Sequence, residues 1–274
     1  MHSPEDLSIV ILRLYLPIVV LVMAGLKKAL KEGEMALGTW ITINHPDVVD
    51  ILSTLPFDWL VFDMEHSPLD VSDLEILMMP LKGSEITPIV RVPWNDMVVI
   101  KRVLDVGAEG VLIPWVNSRE EAEAAVRYVR YPPRGVRGVG PRRCIRYGER
   151  PFLDYYRRFE DEELVLIVQI ETAKAIDNLE DILSVEGIDV AYVGPMDLSV
   201  NLGIPTMFDH PKFREALDKV LKVCEKYSVT PGIHTFSIEQ AKKYAEEGFR
   251  FIALMSDQRG LASTFRSMLS EFGR

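Results

Sequence analysis

Cysteine is scarce in this 274-residue chain: Cys144 and Cys224 are the only two, and they lie far apart. That excludes a disulfide framework and a CxxC pair, and leaves two buried or incidental thiols in a reducing cytoplasm. Low-complexity runs and internal repeats are also missing, so the composition is that of an ordinary globular protein. Basic charge is in deficit. Lys and Arg number 31 against 41 Asp and Glu, a formal net charge of −10. A protein that tracks a phosphate backbone needs a basic stripe, so nucleic acid is excluded as a partner. The single basic cluster, Arg134 to Arg146, sits in a Gly/Pro-rich stretch.

What is present begins with one long apolar run. Leu7 to Ala24 reads LSIVILRLYLPIVVLVMA, broken by Arg13 and Pro17. A membrane span needs about 20 mainly apolar residues, and a central Arg costs roughly 2.5–3.5 kcal/mol on insertion scales. A basic n-region and an A-x-A cleavage site, which a signal peptide would carry, are both absent. Residues 1–24 therefore read as a mis-assigned or dispensable extension, with a membrane anchor as the alternative. From Met23 onward, AGLKKALKEGEMALGTW reads as an ordinary enzyme start, a short amphipathic helix leading into a strand.

Beyond residue 35, short β-branched runs alternate with stretches of helical period. The runs are Ala36–Ile43, Trp59–Asp63, Pro88–Val92, Gly110–Trp115, Leu164–Ile170, Val190–Val193, Pro231–Thr235 and Phe251–Leu254. The helical stretches are Asp47–Leu55, Val71–Leu81, Met97–Val106, Glu120–Arg130, Ala173–Leu183, Lys212–Lys226 and Ile238–Glu247, with a last one over Leu261–Phe272. The strands are continuously apolar, as both faces of a covered parallel sheet require. Gly107, Gly187 and Gly248 close helices, while Ser118, Thr172 and Ser237 occupy N-cap positions. Eight β-then-α units joined right-handedly close most economically into a single-domain (β/α)8 TIM barrel over residues 25–274. The last helix is expected to serve oligomerisation. A doubly wound open sheet is the alternative, but it wants a Gly-rich loop after the first strand, where the chain reads WITINHPD.

In such a barrel, chemistry sits at the C-terminal strand ends. Asp63, Glu65 and His66 follow the second strand, Arg91 the third, Glu171 the fifth and Asp197 the sixth. Glu171 in VQIET and Asp197 in GPMDLS end runs too apolar to hold an unpaired charge cheaply. Two carboxylates on neighbouring strands suit a hard divalent cation with waters and substrate oxygens completing its shell; the bland reading makes each a helix cap or a surface ion pair. Arg91 faces a planar carboxylate, either the substrate's or that of Asp63 or Glu65. His66 is a candidate acid/base group. Only one of Asp63 and Glu65 is expected to point directly into the mouth, the other orienting His66 or a bound water. Trp40 is a candidate pocket wall, and His234 a candidate for the distal half of the substrate. His45 belongs to a helix start and carries no chemistry. The segment YPPRGVRGVGPRR is longer than most barrel connections and reads as a lid, an interface loop or a solvated basic loop.

FDMEHSP, PIVRVPWND, YPPRGVRGVG, VQIET and GPMDLS, in this order and spacing, resemble the HpcH/HpaI class II pyruvate aldolases from about residue 26 to the C-terminus. The resemblance implies that Glu171 and Asp197 hold Mg²⁺, Mn²⁺ or Co²⁺. It implies that Arg91 contacts pyruvate, with Gln169 and the backbone around Met196 in the same site. It makes His66 the acid/base residue, partnered by Asp105 of LDVGA. Asp105 ends a helix at the opposite face of the barrel, so the resemblance further implies a homo-oligomer, usually a hexamer, in which Asp105 meets His66 across an interface. Met64 and Met196 are larger than the residues usual in the family, so the pocket is expected to be reshaped.

The implied reaction is cleavage or formation of 4-hydroxy-2-oxo acids through a metal-stabilised pyruvate enolate, in a cytoplasmic enzyme. No Lys stands at a strand end to form a Schiff base. Two rival readings are a CoA-ester lyase of the citryl or malyl type, for which the chain shows no dedicated adenine groove, and a membrane-tethered binding protein.

Overall fold

All eight apolar runs become parallel strands: β1 (Ala36–Ile41), β2 (Trp59–Asp63), β3 (Thr87–Arg91), β4 (Gly110–Ile113), β5 (Val165–Ile170), β6 (Val190–Val193), β7 (Thr230–Thr235) and β8 (Phe251–Ser256). They pair in chain order, β8 closing on β1, and form a barrel without an open edge. The computed structural model describes residues 25–274; the apolar extension over 1–24 lies outside the described residues. The helices are α1 (Leu26–Lys31), α2 (Pro46–Ser53), α3 (Val71–Leu77), α4 (Met97–Asp105), α5 (Arg119–Tyr128), α6 (Phe152–Arg158), α7 (Ala173–Asp177), α8 (Leu179–Leu183), α9 (Pro195–Asn201), α10 (Pro211–Tyr227), α11 (Ile238–Glu247) and α12 (Asp257–Glu271). Among the described residues, no helix is long and apolar enough to cross a membrane.

Side chains of one parity fill the barrel interior, among them Trp59, Ile89, Leu112, Ile167, Tyr192 and Phe251. Trp59 stacks on Phe251 with ring centroids 4.1 Å apart. A Cβ on Gly38 would overlap the Trp59 ring, so glycine is what lets this large side chain lie across the barrel floor. Side chains of the other parity pack under the helices in a second, larger core. Each fully buried aliphatic or aromatic side chain contributes about 1.5–3 kcal/mol.

The expected caps are in place. Ser118, Thr172 and Ser237 accept from the backbone N–H groups of Glu121, Ala175 and Gln240, and His45 Nδ1 caps α2. Several boundaries differ, each for a local reason. The fourth strand stops at Ile113 because Pro114 follows and Trp115 turns to φ 56°. The first stops at Ile41 because the amides of Thr42 and Ile43 turn to the Asp257 carboxylate, each at 2.9 Å. The helix expected over Ala173–Leu183 is broken at Asn178, whose side chain donates to the Asn117 carbonyl at 2.8 Å. Helix α6 lies in the stretch before β5, and α9 begins at Pro195, one residue after β6; periodicity along the chain reveals neither.

Helix α12 stands apart from the rest. None of its residues is buried, and Leu261, Phe265, Met268 and Leu269, with Phe272 just beyond its end, are all about half exposed or more. A groove of about 630 Å³ runs beside it, lined by Val48, Ile51 and Leu52 of α2, Ile238 of α11, and Leu261 and Phe265 of α12 itself.

Candidate active site

Asp63 and Arg91 are the last residues of β2 and β3 and stand opposite each other in register. Arg91 donates from Nε to Asp63 Oδ1 and from Nη2 to Oδ2, both at 2.8 Å. Its Nη1 lies 3.0 Å from Glu65 Oε2. Its guanidinium carbon sits 4.3 Å over the Trp40 ring. Burial works against the guanidinium charge, but Asp63, Glu65 and Glu171 outweigh it and raise the pKa further. The expectation that only one of Asp63 and Glu65 faces the mouth is corrected here. The two residues are two apart in sequence, and both turn onto the same guanidinium. Asp63 also organises the turn that follows: its Oδ1 accepts from the backbone N–H of Glu65 at 3.0 Å and of His66 at 3.3 Å. His66 itself is largely exposed, with Nε2 3.8 Å from Glu65 Oε1.

Glu171 follows β5 directly and is 1% exposed. Its Oε1 accepts from the Trp115 backbone N–H at 2.8 Å, and its Oε2 accepts from Gln169 Nε2. Gln169 is equally buried, and its Oε1 has no partner. Gly194, after β6, leaves room for both: a Cβ there would come within 2.8 Å of Gln169 Nε2 and 3.0 Å of Glu171 Oε2. Burial raises the Glu171 pKa to about 7; the Trp115 amide opposes this, while the charges of Glu65 and Asp197 add to it. Glu65 is raised by burial too, against the pull of Arg91 and His66. Asp197 stands half-buried in the first turn of α9 rather than on a strand, where the helix N-terminus favours a carboxylate. Among the described residues, no group of three or more His, Cys, Asp or Glu side chains is arranged to hold a metal ion.

The opposite wall is aromatic. Trp40 donates from Nε1 to the Tyr192 hydroxyl at 3.2 Å. His234 meets the Trp40 ring edge-on at 5.8 Å, and Phe236 meets His234 at 4.9 Å. Burial, reinforced by the Arg91 and Arg259 charges, lowers the His234 pKa to about 3, so the imidazole is neutral. Met196 is exposed at the rim, whereas Met64 packs partly buried against the outer core.

Asp105 ends α4, which returns the chain to the start of β4, so it lies at the opposite end of the barrel from His66. In this chain it accepts from Arg137 Nη2 at 2.8 Å. Arg137 is fully buried against Tyr131 and Tyr155 and pins the YPPRGVRGVG segment. Arg134 pairs with Glu160 and Asp161, Arg142 with Glu75. The basic cluster is thus largely spent on internal ion pairs.

Reasoning from sequence missed three contributors. Trp115 supplies a backbone donor, Tyr192 backs Trp40, and Arg259 lies over Phe236. The Pro-Trp pair after β4 was a readable sign of a sharp turn at the rim. A backbone amide and an interior tyrosine carry no such sign.

The sequence profile of the HpcH/HpaI aldolase/citrate lyase family matches residues 36–263. The chain is 37% identical over 249 residues to a 4-hydroxy-2-oxo-heptane-1,7-dioate aldolase of Escherichia coli, covering 90% of this chain and 94% of that one. It is 36% identical over 247 residues to a 5-keto-4-deoxy-D-glucarate aldolase of Shigella boydii, covering 90% and 95%. Among solved structures, a HpcH/HpaI aldolase/citrate lyase family protein from Burkholderia cenocepacia superimposes with a TM-score of 0.87 at 31% identity, covering 92% of this chain and all of that one.

Proposed function

The chain belongs to the HpcH/HpaI aldolase/citrate lyase family, and on that premise we propose that it is a divalent-metal-dependent aldolase that cleaves 4-hydroxy-2-oxo acids to pyruvate and an aldehyde. The observation that carries this reading is Glu171, a buried carboxylate with a pKa raised to about 7 among the charges of Glu65 and Asp197, beside a buried amide oxygen without a partner. Such crowded negative charge fits a hard cation, and the donors are all oxygen. Glu171 and Asp197 would hold Mg²⁺, Mn²⁺ or Co²⁺. When bound, such an ion supplies Lewis-acid polarisation of the substrate's 2-oxo group.

The chain's own residues account for the rest. Arg91 has five N–H donors, and Asp63 engages only two of them by hydrogen bonds. Donors left on Nη1 and Nη2 would bind pyruvate and stabilise the enolate oxygen as charge develops on it. Gln169 and the backbone around Met196 line the same pocket, and Trp40 walls it from water. In cleavage, His66 removes the proton of the 4-hydroxyl group, the C3–C4 bond breaks, and its electron pair passes to the pyruvate fragment as the enolate. Protonation at C3 completes pyruvate, and the aldol direction reverses these steps.

The family resemblance pairs His66 with Asp105, and the two lie at opposite ends of one barrel; on this reading the site is completed in a homo-oligomer, a hexamer as is usual in the family, where Asp105 of a neighbouring subunit meets His66. The uncovered apolar face of α12 and the groove beside it provide surface for that assembly. The test is pyruvate release from a panel of 4-hydroxy-2-oxo acids with Mg²⁺, Mn²⁺ and Co²⁺ in turn. Turnover should vanish in EDTA and return with metal; undiminished turnover in chelator would overturn the scheme.

A further inference from the structure

A chain of aromatic and imidazole rings in contact crosses the barrel mouth with a guanidinium at each end. Arg91 lies 4.3 Å over Trp40, Trp40 meets His234 at 5.8 Å, His234 meets Phe236 at 4.9 Å, and Arg259 lies 4.9 Å over Phe236. Arg91 is held by Asp63 and Glu65. Arg259 is exposed and, among the described residues, takes part in no ion pair. Its near neighbour Asp257 is occupied elsewhere, accepting from the Thr42 amide, the Thr42 hydroxyl and the Ile43 amide at 2.9, 2.6 and 2.9 Å. Arg259 also stands in the first turn of the 15-residue helix α12. A cation there opposes the helix dipole, so the position does nothing for the stability of its own helix.

We infer that Arg259 is a specificity-determining residue that selects aldehydes carrying a carboxylate or another anionic group away from the carbonyl. The inference rests on the aldolase reading. With pyruvate at Arg91 and Glu171, the aldehyde fragment extends along the Trp40–His234–Phe236 wall, and its far end meets Arg259. Burial and the two flanking guanidiniums hold His234 neutral, so it presents an uncharged imidazole to the middle of the substrate. On a molecule of net charge −10, an anionic tail needs a local cation to be retained. Arg259 supplies that cation.

The experiment measures aldol addition of pyruvate to 4-oxobutanoate and to its neutral amide, 4-oxobutanamide, with Mg²⁺ present, for the wild type, Arg259→Gln and Arg259→Lys. The wild type should favour the carboxylate, and the ratio of the two kcat/KM values should fall about threefold to fivefold in Arg259→Gln, through KM rather than kcat. Arg259→Lys should keep more of the ratio than Arg259→Gln. A ratio in Arg259→Gln within twofold of the wild type overturns the assignment. Deuterium exchange into the methyl group of pyruvate alone, followed by NMR with the wild type, separates the two failures. Exchange with an unmoved ratio removes only the role of Arg259, whereas no exchange removes the aldolase reading and this inference with it.

Discussion

Asp63 and Arg91 close adjacent strands in register and join through two parallel 2.8 Å hydrogen bonds, so the guanidinium at the barrel mouth is aimed before any substrate arrives. Aiming of this kind lowers the reorganisation needed when charge develops on a substrate oxygen. It also ties the stability of the rim to its chemistry.

Removing one partner of that pair leaves a buried charge uncompensated. Arg91→Met should therefore abolish turnover and also destabilise the protein by about 3–5 kcal/mol. The double variant Arg91→Met/Asp63→Asn should recover part of the stability and none of the activity. Denaturant midpoints and pyruvate release measure the two effects separately. Wild-type stability in Arg91→Met would refute the buried pair.

Glu171 makes the metal-free protein pH-sensitive. Its folded pKa, about 7, lies above the ordinary carboxylate value. The folded state therefore binds the proton more tightly, and stability falls as pH rises from about 4.5 to 7. Relative to Glu171→Gln, the wild type should lose about 3 kcal/mol across that window. Saturating Mg²⁺ or Mn²⁺ should cancel the loss. Parallel thermal-melt curves for the two proteins in EDTA would sink this account.

His234 has the opposite sign. Its folded pKa is depressed to about 3, so its contribution is complete above pH 6.5 and drains away as pH falls towards 3. Each pH unit below 6.5 should cost about 1.4 kcal/mol through this group. His234→Phe keeps the aromatic wall but cannot be charged, and should melt at a higher temperature than the wild type at pH 5. An equal pH slope in the two proteins is the result that would count against a desolvated imidazole.

Subunit complementation tests the proposed sharing of the site between neighbouring subunits. His66→Ala and Asp105→Ala should each be inactive alone. Mixed oligomers assembled from both should regain about a quarter of wild-type activity, since a closed symmetric assembly pairs one intact His66 with one intact Asp105 in that fraction of sites. Introducing Phe265→Asp on α12 should lower the mass seen by sedimentation and abolish the regained activity. No recovery on mixing would place Asp105 outside the catalytic machinery.

The order of residues along the chain is enough to set the barrel and its working end. Strand-length apolar runs, Ser and Thr caps and closing glycines act over a few residues, and eight repeats of that local pattern leave one economical closure. Because that closure sends every strand end to the same rim, Arg91, Glu171, His66 and Asp63 could be placed together from their positions alone, and Asp197 could be placed near them without showing that it rides on a helix. The remaining features depend on directions rather than positions, and directions are set by the folded packing. Asp63 and Glu65 turn onto one guanidinium, a Trp115 amide holds Glu171, Asn178 breaks a helix to reach Asn117, α12 leaves its apolar face uncovered, and Arg259 reaches an aromatic ring from the next strand's connection. Each of these is a contact between residues distant in the chain, fixed by how side chains and backbone amides point once the barrel has closed, and periodicity along the chain carries no record of that.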